Sequence, residues 1–301
     1  MPASPPSESP PTEAVSGTDS GKPSPDETRF AFGENWAAFL ETLDDQRIEQ
    51  AVASLQSMLA VDDLSRCRFL DIGSGSGLFS LAAHRLGADV VSIDYDEQSV
   101  HCTQTLKDRY TDSSERSWLI HRGSVLDPVF MKSLGQFDVV YSWGVLHHTG
   151  EMDRAIEMAS QRVAPQGLLY IAIYNDQGSA SRRWLWIKRM YHRLPKSLRW
   201  MWVVAVAGVY ELRFAMARLA RFRNPLPLAD WRAKRKDRGM SAWHDWVDWV
   251  GGMPFEVATP EHVIVPLARK GFHVVNLKTV GNGWGCNEYV LTHDTTKRRE
   301  P

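Results

Sequence analysis

The segment Asp71-Ile72-Gly73-Ser74-Gly75-Ser76-Gly77 lies between two apolar stretches, residues 67–70 and 78–86. The combination reads as a strand, a tight glycine turn and the start of a helix. Glycines at alternate positions accept positive φ angles and let backbone N–H groups approach a ligand closely. A turn of this kind at the carboxyl end of a strand is where open α/β sheets bind their ligands. The segment therefore predicts a nucleotide-like cofactor.

Strand and helix patterns alternate outward from this turn. A β-branched run over 88–93 ends at Asp94, 21 residues beyond Gly73. That is about one β-α-β step, and it puts a carboxylate where a ribose diol can donate to it. Residues 98–110 read as a helix, 118–122 and 137–143 as strands, and 153–164 as a helix stopped by Pro165 and Gly167. The continuous apolar run 168–174 suits a central parallel strand. A helix over 260–270 precedes strands at 273–280 and 287–292, and the Gly-rich turn between these strands makes a hairpin. The chain is thus expected to be α/β, with a doubly wound, mostly parallel seven-stranded sheet and an antiparallel last strand.

Composition limits the remaining choices. The chain has 301 residues, 43% of them hydrophobic, enough for a substantial core. Cys67, Cys102 and Cys286 are too few and too scattered for a disulfide framework or a CxxC metal pair, so no metal is expected and a reducing compartment is the default. The start of the chain shows no basic region followed by an apolar run, which predicts a cytoplasmic protein. Residues 1–28 hold seven of the sixteen prolines and read as a disordered tail, with 294–301 as a second tail. Residues 29–65 read as an N-terminal helical lid, in which Phe32 and Trp36 either cover a ligand or pack on the sheet. The cofactor-binding half of the sheet spans 66–175, and the last helix and hairpin span 259–293.

The segment 176–258 is too long for a loop and is expected to be a helical insertion that caps the substrate. Although the whole chain carries a formal charge of −1, residues 182–238 hold sixteen Lys and Arg against three acids, and eight of the twelve tryptophans lie between 184 and 249. Basic residues mixed with Trp suit peripheral contact with the inner membrane surface. They equally suit a packed cap with a solvated basic face, or an acidic or nucleic-acid partner. Residues 200–210 contain no charge, but eleven residues are too short to span a bilayer, which needs about 20.

Two features argue against a nicotinamide oxidoreductase. The third glycine of G-x-G-x-x-G would fall on Leu78, and an acid, Asp71, precedes the first glycine. Together with residues 90–94, 137–142 and 165–173, these features resemble the class I S-adenosylmethionine-dependent methyltransferases. The resemblance covers about 66–175 and 258–293. It implies a Rossmann-like fold and S-adenosylmethionine as cofactor. Gly73, Gly75 and Gly77 would then lie under the methionine part, Asp71 would help hold its amino group, and Asp94 would take the ribose hydroxyls. Ser124 and Val125 would lie where adenine is read, with Asp127 as the other candidate for that contact, and Trp143 would border the sulfonium. Residues 86–91 are similar to the corresponding stretch of quinone-biosynthesis O-methyltransferases.

Methyl transfer is an in-line displacement governed by positioning, and a base is needed only where the acceptor must lose a proton. His147 and His148, after the fourth strand, are candidates, or they hydrogen-bond loop backbone. His244 and Asp248 would share a helix face, either for proton transfer or as a surface pair. Tyr174, Asn175 and Asp176 close the fifth strand on the substrate side. The expected acceptor is a small, lipophilic molecule methylated on oxygen, with nitrogen, sulfur or carbon as the alternatives. The rivals are a non-catalytic cofactor-binding or membrane-associated accessory protein, the nicotinamide oxidoreductase, and an RNA methyltransferase. For nucleic acid, 142–145 lacks the Asn/Asp-Pro-Pro-aromatic motif of base-modifying enzymes, and none of the three cysteines is expected at the position of the nucleophile that cytosine-C5 RNA enzymes need.

Overall fold

The computed structural model describes residues 43–111, 116–222, 224, 226, 242–281 and 283–293. Seven strands form one sheet in the order β3-β2-β1-β4-β5-β7-β6. They are β1 (Arg68–Ile72), β2 (Asp89–Asp94), β3 (Trp118–Arg122), β4 (Phe137–Trp143), β5 (Val163–Tyr174), β6 (Phe272–Lys278) and β7 (Cys286–His293). Only β7 runs against its neighbours, β5 and β6, so the expected mostly parallel sheet is observed. The chain order reverses at β1, which lies between β2 and β4. A crevice opens at such a switch point, outside the carboxyl ends of the strands.

Each face of the sheet carries its own apolar core. On one face lie α1 (Asp45–Leu59), α2 (Leu78–Arg85) and α3 (Glu97–Tyr110), contributing Ile48, Leu55, Leu81 and Leu106. The other face is covered by α4 (Pro128–Ser133), α5 (Met152–Ser160) and α9 (Pro260–Arg269), through Met131, Ile156 and Leu267. Local chemistry fixes several starts. Asp96 accepts from the N–H groups of Gln98 and Ser99 at the head of α3. Thr259 caps α9, whose first residue is Pro260. Both follow the preference for a short acceptor before the first turn and proline at its first position.

Between β5 and α9 the insertion folds into α6 (Ser179–Arg193), α7 (Lys196–Leu219) and α8 (Ala242–Gly251) around a third core of Trp184, Ile187, Val203, Val206, Tyr210 and Val250. The returning strap 252–258 is sewn to the carboxyl end of the sheet. Glu256 N–H donates to the His147 carbonyl at 3.1 Å, Ala258 N–H to that of Tyr174 at 2.9 Å, and Asp176 N–H to that of Ala258 at 3.1 Å. The insertion is thereby anchored at the carboxyl ends of β4 and β5.

Two local expectations are corrected. The helix expected over 153–164 ends at Ser160, and β5 begins at Val163 and continues through Pro165 and Gly167. On β5 the partner residues jump from Val163 to Leu168 opposite Phe137 and Val139, so 164–167 bulge out. A bulge tolerates a proline without an N–H inside a central strand. The short helix α4 was not expected, although its signal was present: Asp127 accepts from Val129 and Phe130 N–H, and Pro128 follows it. The aromatic part of the proposed lid, including Phe32 and Trp36, lies outside the described residues.

The glycine turn sits in the crevice with φ values of +77°, +55° and +81° at Gly73, Gly75 and Gly77. A Cβ on Gly73 would lie 2.5 Å from both γ-carbons of Val145, just past β4. Gly73→Ala should therefore cost about 2–4 kcal/mol in denaturant unfolding, the sum of overpacking and positive-φ strain. Adding Val145→Ala should restore part of that loss by removing the two γ-carbon overlaps, leaving the strain and a 2.9 Å contact with the β-carbon of residue 145. No restoration would place the cost elsewhere.

Candidate active site

The residues expected to hold a cofactor converge on the crevice from four parallel strand ends. Asp94, half-buried at the end of β2, accepts from Gly75 N–H at 3.0 Å through one oxygen and from Asp96 N–H at 2.9 Å through the other. The same carboxylate thus shapes the glycine turn. Thr103 of α3 holds the turn from behind, with its hydroxyl 2.9 Å from that of Ser74 and donating to the Gly75 carbonyl at 3.3 Å. Nothing in the sequence pattern separates Thr103 from other polar helix residues. Trp143, the last residue of β4, is 44% exposed and is followed by Gly144 at φ +76°.

Past β3, the hydroxyl of Ser124 accepts from Leu126 N–H, and the Val125 side chain is buried in the lower core. Asp127 caps α4. Both capping bonds end on Oδ1 of Asp127.

Asp71 lies deeper than expected. Only 2% exposed, it accepts from Ser80 Oγ at 2.5 Å. Ser80 in turn lies 2.7 Å from the Ser92 hydroxyl, which accepts from the Trp118 indole N–H at 2.8 Å. This chain of bonds ties β1, α2, β2 and β3 together beneath the turn. Burial pushes the Asp71 carboxyl up to about 7, with Ser80 opposing the shift and Asp94 adding to it.

Leu146–His148 forms a single 3₁₀ turn after β4. His147 is fully buried, its ring 4.0 Å from that of Tyr174 and 4.5 Å from that of His148. Among the described residues, neither of its ring nitrogens has a hydrogen-bond partner. Burial, with the adjacent His148 and the Lys188 charge, holds it well below the usual histidine range, so it is neutral. His148 is half-buried, with Nδ1 2.7 Å from the Pro254 carbonyl. A carbonyl only accepts, so Nδ1 carries the hydrogen and the neutral ring has its lone pair on Nε2. Of the two histidines, His148 is the one whose tautomer is set by a backbone carbonyl. His244 and Asp248 lie on α8, as expected of a helix, but their side chains are outside the described residues.

Tyr174 opens onto a cavity of about 30 Å³ enclosed by Trp184, Lys188, Trp249, Phe255 and Trp284. Trp284 comes from the β6–β7 turn and packs edge-on to Trp184 at 5.6 Å and to Tyr210 at 5.4 Å. Buried Lys188 donates to the Trp249 carbonyl at 2.7 Å and lies over the Phe255 ring at 5.0 Å. His192 Nε2 contacts the Gly251 carbonyl at 2.7 Å, so α6 satisfies the last carbonyls of α8. The cavity is far below the ~300–1,000 Å³ of ordinary ligand pockets. Any acceptor entering here must displace cap side chains. Sequence reading missed Lys188, Phe255 and Trp284 as neighbours because the insertion's fold alone brings them together. Asn175 is structural: its amide N–H donates to the Gly281 carbonyl, and its oxygen accepts from Asn287.

Residues 39–208 match the sequence profile of a family described as a methyltransferase domain. The chain belongs to this family, and its type is class I, S-adenosylmethionine-dependent. It is 29% identical over 112 residues to a ubiquinone biosynthesis O-methyltransferase of Pelagibacter ubique, covering 37% of this chain and 44% of that protein. Over 79 residues it is 39% identical to a magnesium-protoporphyrin O-methyltransferase of Rhodobacter capsulatus, covering 26% and 32%. Each match thus spans less than half of the relative's length. Among solved structures, magnesium protoporphyrin IX methyltransferase from Synechocystis PCC 6803, with bound SAM, superposes with a TM-score of 0.53 at 12% identity, covering 92% of this chain and all of that one. At that identity the likeness is one of fold.

The donor set fits the methyl donor. Three glycines in one turn, a half-buried carboxylate at the end of β2, a hydroxyl beyond β3 and an exposed indole at the end of β4 can meet its methionine, ribose, adenine and sulfonium ends. Asp71 enters this set as the support of the turn. Because the folded protein keeps Asp71 protonated to about 7 and the unfolded chain ionises it near 3.8, stability falls as pH rises between those values. Asp71→Asn should remove this slope, so the melting temperature of the variant relative to the native chain should be higher at about pH 8 than at about pH 5. An equal difference at both would contradict the buried neutral carboxyl.

Proposed function

We propose that this protein transfers the methyl group of S-adenosylmethionine to an oxygen of a small, lipophilic acceptor. The observation that carries the reading is the convergence of the glycine turn, Asp94 and Trp143 at one sheet edge, with His148 and an aromatic cap on the neighbouring strand ends. The acceptor oxygen attacks the methyl carbon in line with the departing sulfur. The carbon–sulfur bonding pair stays on sulfur, which becomes a neutral thioether, and the acceptor's proton passes to Nε2 of His148. Holding the two reactants in line provides most of the acceleration. The aromatic lining of Trp184, Trp249, Phe255 and Trp284 favours an apolar, ring-containing acceptor. The O-methyltransferases among the relatives support oxygen as the atom modified.

Cell extract supplied with the enzyme and isotope-labelled donor should yield a labelled metabolite and an equal amount of demethylated donor. Binding of the donor without any labelled product would contradict catalysis. With the acceptor in hand, His148→Asn should lower kcat by about 10²–10⁴ and leave donor affinity unchanged. Asp94→Ala should weaken donor binding by about 1–3 kcal/mol, as read by calorimetry. Unchanged affinity would remove Asp94 from the site.

A further inference from the structure

The insertion's longest helix, α7, has two unlike faces. Its inner stripe, Val203, Val206 and Tyr210, is buried in the cap core, and Tyr210 stacks on Trp184 at 5.0 Å. The opposite side is exposed and also apolar: Met201, Val204, Val209, Leu212, Met216 and Leu219, with Leu212 65% exposed. At about 100° per residue these six fall within roughly 140° of the helix circumference. No charged residue of α7 falls in that arc, because Lys196, Arg199, Glu211, Arg213 and Arg218 all lie outside it. From Leu198 to Leu219 the uncharged face runs about 32 Å. It is the one helix among the described residues long and apolar enough to cross a membrane by length and composition.

A contiguous exposed apolar face of this size marks an interaction surface. Its surroundings select the partner. Lys196 and Arg221 stand at its ends, Arg213, Arg218 and the acid Glu211 flank it, and the described residues 182–222 hold ten Lys and Arg against that one acid. A second copy of the same face would meet like charge, whereas an anionic surface meets opposite charge. The inner stripe is held by the aromatic cap, so the helix cannot leave the protein to cross a bilayer. We propose that α7 is a monotopic docking surface for an anionic phospholipid membrane. It lies flat in the interface, with its outer apolar face in the acyl boundary and the flanking arginines at headgroup level. The exposed rings of Trp186 and Trp200 suit the same depth. The docking stands on the outer face alone. If the acceptor is lipophilic, as proposed above, the inner face of the same helix backs Trp184 and Trp284, which line the cavity that would receive it.

The test is cosedimentation of the full chain, without methyl donor, with vesicles of phosphatidylcholine alone or mixed with phosphatidylglycerol. The protein should be retained by the mixed vesicles at low salt. At about 0.5 M salt, where screening shortens to a few ångströms, retention should fall. The double variant Leu212→Glu/Met216→Glu should lose about tenfold or more of the retention. Both side chains are exposed, so its melting temperature and donor binding by calorimetry should match the native chain. That control separates failure of docking from failure of the methyltransferase reading. Three results would overturn the proposal: no retention on mixed vesicles at low salt, equal retention of the variant, or lipid-free dimerisation abolished by the same substitutions.

Discussion

The structure depends on the absence of side chains at the end of β1. Gly73 sits against Val145, so close that a single methyl group would overlap it. This contact joins the turn after β1 to the turn after β4, the two strands on either side of the sheet's reversal. Asp94 holds the same turn from β2 and Thr103 holds it from α3. Below it, the buried bonds from Asp71 through Ser80 and Ser92 to Trp118 fix the distance between strands and helix. The crevice is rigid because each wall is tied to the same short loop, and preorganisation of this kind is what an in-line transfer requires.

Much of this was legible in the sequence because strand period and glycine punctuation are local signals. The runs 118–122 and 137–143 coincide with β3 and β4, and the final hairpin and the reversed strand follow from the short Gly-rich connection. The misreadings have tertiary causes. Pro165 looked like a helix stop because a proline in a central strand is normally excluded, and only the bulge opposite Phe137 makes room for it. Asp71 looked like a ligand contact because its position in the chain says nothing about depth. In the fold its carboxyl points under the turn to Ser80. The two histidines are adjacent in sequence and alike in composition, yet one is sealed among rings and the other is oriented by a backbone carbonyl.

The insertion was visible as a basic, Trp-rich departure in composition, but its arrangement was not. Composition could not say whether the apolar run of α7 packs inward or faces outward, and the helix does both. The aromatic cluster was equally hidden, since Trp284 joins Trp184 and Trp249 from a hairpin a hundred residues away from α6 in the chain. The division of labour is clear from the topology. The sheet's first four strands surround the crevice at the switch point, and the insertion is sewn back to the ends of β4 and β5.

The account rests on the crevice being shaped for a methyl donor and not for a dinucleotide. Isothermal titration calorimetry of the full chain against S-adenosylmethionine and NAD, under identical conditions, tests this directly. Saturable heat with S-adenosylmethionine and none with NAD is the predicted result. Binding of NAD without binding of S-adenosylmethionine would contradict it.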